Sequence, residues 1–151
     1  MNIFILDDYK QRIDTIKLLC KMKFRIKNAE YTTAESYSDA CEVFGNHRKF
    51  DYMFLDHDLG GTTFAAVGTE NSGCSVAKKI SELRVEYTEI IIHSMNFVGA
   101  LAMQAVLPRA LVVPFHVLTR LETPPWKVIR PMLPELHYGY VNGFEIGDDY
   151  E

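Results

Sequence analysis

At 151 residues, with 48% hydrophobic side chains and a formal net charge of −4, the chain is long enough for one domain with a real core. No apolar segment reaches the roughly 18 residues of a membrane span. Residues 122–151 carry six acids and two bases, so the whole net charge lies in the tail, and the balanced body offers no basic footprint for duplex nucleic acid.

In chain order, NIFIL (2–6) reads as a short buried strand, and Ile13, Ile16, Leu19 and Cys20 follow at helical spacing. A weaker strand is expected around Phe24 to Tyr31. Tyr37, Ala40, Cys41 and Phe44 repeat at i, i+3, i+4, i+7 behind Ser36 as a possible cap. YMFL (52–55) is a third strand, followed by a polar, glycine-bearing loop and a helix marked by Val76, Ala77, Ile80 and Leu83. EIII (89–92) is a fourth strand, Val98, Leu101, Ala102 and Ala105 form a fourth helical stripe, and ALVV (110–113) is a fifth strand. Five such repeats with continuous apolar strands imply an α/β fold with a parallel sheet covered by helices.

The rhythm breaks after residue 121, which divides a domain over 1–121 from an acidic extension over 122–151. Pro124, Pro125, Pro131 and Pro134 are too frequent for one regular helix, and Asn142-Gly143 inside YGYVNGFEI (138–146) signals a hairpin. Cys20, Cys41 and Cys74 lie far apart on apolar helical faces, as reduced core thiols do. The opening MNIFILDD lacks the basic start and long apolar middle of a signal peptide, so a cytoplasmic protein is expected.

Ligands of an open parallel sheet collect beyond the carboxyl ends of its strands. Asp7 and Asp8 follow the first strand, Asp56, His57 and Asp58 the third, and His93, Ser94 and Asn96 the fourth, so the three groups should converge on one edge. Clustered carboxylates repel unless a cation neutralises them. Oxygen ligands without thiolates favour a hard ion, Mg²⁺ or Mn²⁺, which keeps coordination positions free for a phosphate oxygen.

The LDD at 6–8, the aspartate ending the third strand, the serine ending the fourth and VVPF at 112–115 together resemble the receiver domain of two-component response regulators, over about residues 1–120. That resemblance implies a flavodoxin-like five-stranded sheet in the order 2-1-3-4-5. It also implies Mg²⁺ binding by Asp7 and Asp8, phosphoryl acceptance by Asp56 and a phosphoryl contact from Ser94. Receivers carry a lysine immediately before the proline after strand five, where this chain has Val113. Without it, an aspartyl phosphate loses a stabilising cation. LDHDL at 55–59 with HSMNFVGALAM at 93–103 is similar to a narrower receiver-like family, named for cyclic-phosphate processing. Its name implies action on a cyclic nucleotide or cyclic phosphate, often in phage–host conflict.

Each candidate has a plainer reading. Asp7 and Asp8 could cap the first helix, and His57-Asp58 matches the HD pair of metal phosphohydrolases only as a dipeptide, since that motif lies on helices. His93 could be a core histidine or a general acid. Asn96 could cap the fourth helix, whose N-terminus would itself favour a phosphate, with Gly99 allowing close approach there. Gly60 and Gly61 suit a flexible loop or a lid. Lys78, Lys79 and Arg84 read as a solvated helical face, and His116, His137 and Trp126 carry no motif.

Two function classes follow. As an enzyme, the protein would hold its metal on Asp7, Asp8 and Asp56, with Asp58 either joining them or fixing His57, bind phosphate through Ser94, Asn96 and Gly99, and protonate the leaving ribose oxygen from His57 or His93. As a binding module it would sequester a cyclic nucleotide or a protein partner, with Tyr138, Tyr140, Phe144 and Tyr150 of the tail covering the ligand.

Overall fold

The apolar runs NIFIL and YMFL fold as neighbouring central strands because both their faces must be buried. The computed structural model describes residues 1–61 and 65–132. Five strands, β1 (Asn2–Leu6), β2 (Glu30–Ala34), β3 (Lys49–Leu55), β4 (Glu86–Ile92) and β5 (Leu111–Val112), form one parallel sheet in the order β2-β1-β3-β4-β5. Phe4, Ile5, Phe54, Leu55, Ile91 and Ile92 are fully buried, each such side chain contributing about 1.5–3 kcal/mol.

The strands alternate with α1 (Lys10–Met22), α2 (Tyr37–Asn46), α3 (Gly73–Glu82) and α4 (Phe97–Val106). α1 buries Ile13, Ile16, Leu19 and Cys20, the stripe its spacing predicts. Ser36 caps α2 by accepting a hydrogen bond from the Asp39 N–H. Cys20 and Cys74 are buried, Cys41 is half-buried and all three are free thiols; burial pushes the Cys20 thiol up to about 12. No helix among the described residues is long and apolar enough to cross a membrane.

Two expectations need correction. The second strand is not Phe24–Tyr31 but Glu30–Ala34, the sequence EYTTA, with only Ala34 buried. It sits at the sheet edge, where a strand needs no apolar run and so leaves little hydropathy signal. α4 buries Gly99, Ala100 and Met103 rather than the stripe from Val98, and Val98 is 70% exposed. The segment FVGALAMQAV is apolar nearly all round, so period alone does not select its inner face. Gly99 selects it, because only a residue without Cβ fits against the buried ring of His57.

After β5 come two single-turn helices, α5 (Phe115–Leu118) and α6 (Pro125–Val128), and a 3₁₀ turn at Arg130–Met132. Trp126 of α6 stacks on Tyr52 of β3 with centroids 4.2 Å apart and meets Phe24 edge-on at 6.1 Å. Lys23 pairs with Glu122 at 3.0 Å, and Arg130 pairs with Glu89 of β4. The first part of the extension therefore packs on the domain; the expected hairpin at 138–146 lies outside the described residues.

Candidate metal and phosphate site

β1 and β3 pair directly and end together, Leu6 beside Leu55, so the residues that follow them, Asp7 and Asp56, must meet. This is also where the connection leaving β1 runs towards β2 and the connection leaving β3 runs the opposite way towards β4, the position at which open α/β sheets bind ligands. Asp7, Asp8 and Asp56 each offer an oxygen, and these oxygens lie within 4.8 Å of one another. Asp7 is fully buried and Asp56 is 5% exposed.

A guanidinium lies among them. Arg12, in the first turn of α1, donates to Asp7 from Nε and Nη2, the shortest contact being 2.7 Å, and from Nη2 to Asp56 at 3.0 Å and Asp8 at 3.4 Å. Its guanidinium carbon lies 5.2 Å from the Tyr9 ring centroid. His93, at the end of β4, places Nε2 2.9 Å from Asp7 Oδ2. Burial pushes the Asp7 carboxyl up, but hydrogen bonds from His93, Arg12 and the Tyr9 N–H outweigh it and hold it at about 2. Asp56 moves the other way. Burial raises its pKa and the Asp7 charge raises it further, against the opposing influence of His93, Arg12 and the His57 N–H.

Asp8 accepts a hydrogen bond from the Gly61 N–H at 2.6 Å. Gly60 and Gly61 both have positive φ, 70° and 76°, a backbone that favours glycine; they turn the loop after β3 back onto Asp8. A cavity of about 410 Å³ opens beside the acids, lined among others by Tyr9, Arg12, Ser94, Met95 and Phe115.

The second cluster read from the sequence is built differently. His57 is fully buried, and a Cβ on Gly99 would lie 2.4 Å from its ring. Its Nδ1 lies 3.1 Å from Asp58 Oδ1, which also accepts from the Ala65 N–H at 2.9 Å and Asn96 Nδ2 at 3.0 Å. Asn96 Oδ1 caps α4 by accepting from the Gly99 N–H, and its Nδ2 also donates to the Ala65 carbonyl. Asp58 thus contacts His57 and also lines the cavity, and it is not among the three acids whose oxygens gather within 4.8 Å in the described residues. His57 is not among the residues that line the cavity. Asn96 and the Gly99 N–H thus hydrogen-bond to each other, and Asn96 also to the loop. Ser94 does line the cavity; its Oγ accepts from the Asn96 N–H at 3.0 Å.

The profile of the cyclic-phosphate processing receiver domain matches residues 1–109. The chain belongs to that family. Among solved structures it is similar to two of the RcsB response regulator of Salmonella typhimurium, from work on conformational dynamism for DNA interaction. One has 16% identity and a TM-score of 0.55, and covers 89% of this chain. The other has 16% identity and a TM-score of 0.47, and covers 92%. The chain spans 60% of the length of each, and at this identity the likeness concerns the receiver fold. No curated protein matches the sequence.

Val113, where the receiver resemblance implies a lysine, is fully buried. Arg12 brings a cation to Asp56 from α1. Sequence reading passed over Arg12, although its i+4 spacing from Asp8 is a readable ion-pair signal. It also passed over Gly73, where a Cβ would lie 2.0 Å from the Asp56 carbonyl oxygen. That close approach lets α3 begin directly against the end of β3.

The residues present fit a divalent cation. The donors are all carboxylate oxygens, the preference of hard ions, and three carboxylates face one guanidinium, so ionised acids outnumber the cation that neutralises them.

Proposed function

We propose that this chain is a metal-dependent hydrolase of a cyclic nucleotide or a related cyclic phosphate. The observation that carries this reading is the convergence of Asp7, Asp8 and Asp56 within 4.8 Å beside a cavity lined by Ser94. Those three aspartates would hold Mg²⁺ or Mn²⁺, which when bound supplies Lewis-acid polarisation of a phosphate oxygen and a more acidic water. The Ser94 hydroxyl, accepting from the Asn96 N–H, keeps its proton to donate to a phosphate oxygen. A volume of about 410 Å³ suits a small ligand, for which sites run roughly 300–1,000 Å³. Tyr9 and Met95, about half exposed, line the same cavity as Phe115 and offer apolar contact to a sugar or base. Removal of a signalling nucleotide is the role such an activity would play in phage–host conflict.

A second reading, sequestration without cleavage, is favoured by His93. It lines the cavity, but it is 1% exposed and its Nε2 is engaged by Asp7 at 2.9 Å, an arrangement suited to positioning Asp7 rather than to protonating a leaving oxygen. Incubation with cyclic mono- and oligonucleotides and Mn²⁺ separates the two. Linear product supports hydrolysis, and ligand released intact on heat denaturation supports sequestration. If neither appears with metal bound, both readings fall. For a general acid, His93→Ala slows turnover about 10²-fold or more with metal affinity retained; for a positioning residue it weakens metal binding as well.

A further inference from the structure

Arg12 Nη2 lies 2.7, 3.4 and 3.0 Å from oxygens of Asp7, Asp8 and Asp56, the three groups that would ligate a divalent ion. Magnesium needs its oxygens at roughly 2.0–2.1 Å in a near-octahedral shell. A guanidinium nitrogen in contact with all three carboxylates fills the space such a shell requires, so ion and side chain cannot occupy the cluster together. The arginine has somewhere to go. Its side chain is 30% exposed, it borders the cavity, and it lies against the Tyr9 ring, itself half exposed at the cavity wall. Among the described residues that line that cavity none is a lysine, and Val113, where the receiver resemblance implies one, is buried.

We propose that Arg12 is an exchangeable counter-cation. It holds the three carboxylates together in the metal-free protein and yields the cluster to the incoming ion. It then pairs with the ligand's phosphate, as an arginine fork does bidentately. Ligand binding and metal binding are thereby coupled through one side chain, and coupling of this kind is reciprocal. The inference rests on the metal-dependent reading of the site, and deepens it by naming the side chain that recognises the anion.

The test is a calorimetric titration of Mn²⁺ into the full chain and into Arg12→Gln, each with and without inorganic phosphate, with thermal melting to confirm folding. Removing the competing charge should tighten Mn²⁺ binding at least about tenfold. Phosphate should tighten Mn²⁺ binding about threefold in the native protein and leave Arg12→Gln unchanged. Should Arg12→Gln fail to fold, Arg12→Lys keeps the charge but loses the fork, and about threefold tighter Mn²⁺ binding is expected of it. Equal or weaker Mn²⁺ binding by the folded variant, an unaltered response to phosphate, or no binding by either protein overturns the proposal. Failure of the hydrolase and sequestration readings shows separately, as native protein with Mn²⁺ bound that neither cleaves nor captures cyclic nucleotides.

Discussion

The Asp7–Asp8–Asp56 cluster and the His57–Asp58–Asn96 cluster use the same kinds of residue at the same edge of one sheet, and they differ in what remains unsatisfied. In the second, Asp58 Oδ1 is met by three donors and Asn96 by the α4 cap and the Ala65 carbonyl. Asp58 and Asn96 thereby brace the loop after β3 against α4, while His57 Nε2 is buried with no hydrogen-bond partner among the described residues, as is His93 Nδ1 beside the first cluster. In the first, three carboxylates share one guanidinium and one imidazole, and the raised pKa of Asp56 records the remaining repulsion and burial. Hydrogen-bonded side chains give rigidity, whereas crowded like charges leave repulsion for a cation to relieve.

The comparison breaks most sharply at Asp7. Asp7→Asn leaves Arg12 and His93 without their shared buried partner and should cost about 4 kcal/mol in urea unfolding; a loss below about 1 kcal/mol would make Asp7 dispensable to the architecture. Gly99→Ala attacks the brace instead. A methyl group 2.4 Å from the His57 ring must displace helix or ring, an overpacking expected to cost about 3 kcal/mol. A folded variant of native stability would show that α4 is not pinned by that contact.

Acid should separate the two aspartates of the site. Asp7 has a folded pKa of about 2, below its unfolded value. Its stabilisation of about 2 kcal/mol is therefore complete above about pH 4 and lost as pH falls through about 2. Asp56 has the opposite sign. Its folded pKa is raised, so protonation favours the folded state, and stability is gained as pH falls through that raised value towards about 4. Urea titrations at stepped pH should show the first slope vanish in Asp7→Asn and the second in Asp56→Asn.

Asn96→Ala removes a helix cap and the donor to Asp58 and Ala65 together, for an expected loss of about 2 kcal/mol, with Mn²⁺ binding unchanged because the brace is separate from the acids. The smallest effect has the reverse direction. Asp56→Asn should stabilise the metal-free protein by about 1 kcal/mol, because it removes a buried charge held beside Asp7, while abolishing Mn²⁺ binding in calorimetry.

The sequence by itself determined the sheet and the meeting of the acids. Continuous apolar runs as short as NIFIL and EIII fit buried strands better than helices, and a parallel sheet delivers whatever follows them to one edge, so LDD and LDHDL were legible as a convergent site. Edge strand β2 was misplaced because EYTTA buries little and so carries little pattern. The inner face of α4 was misread because every face of that helix is apolar. Only the tertiary structure decided which polar residues are spent and which are poised. Dipeptide spacing places His57 and Asp58 beside the other aspartates, but side chains on a strand end alternate in direction, and packing against Gly99 turned His57 into the interior. Likewise, Arg12 joins the site because the first turn of α1 points its guanidinium back over β1 and β3, a contact spanning 44 residues to Asp56 that no local pattern encodes.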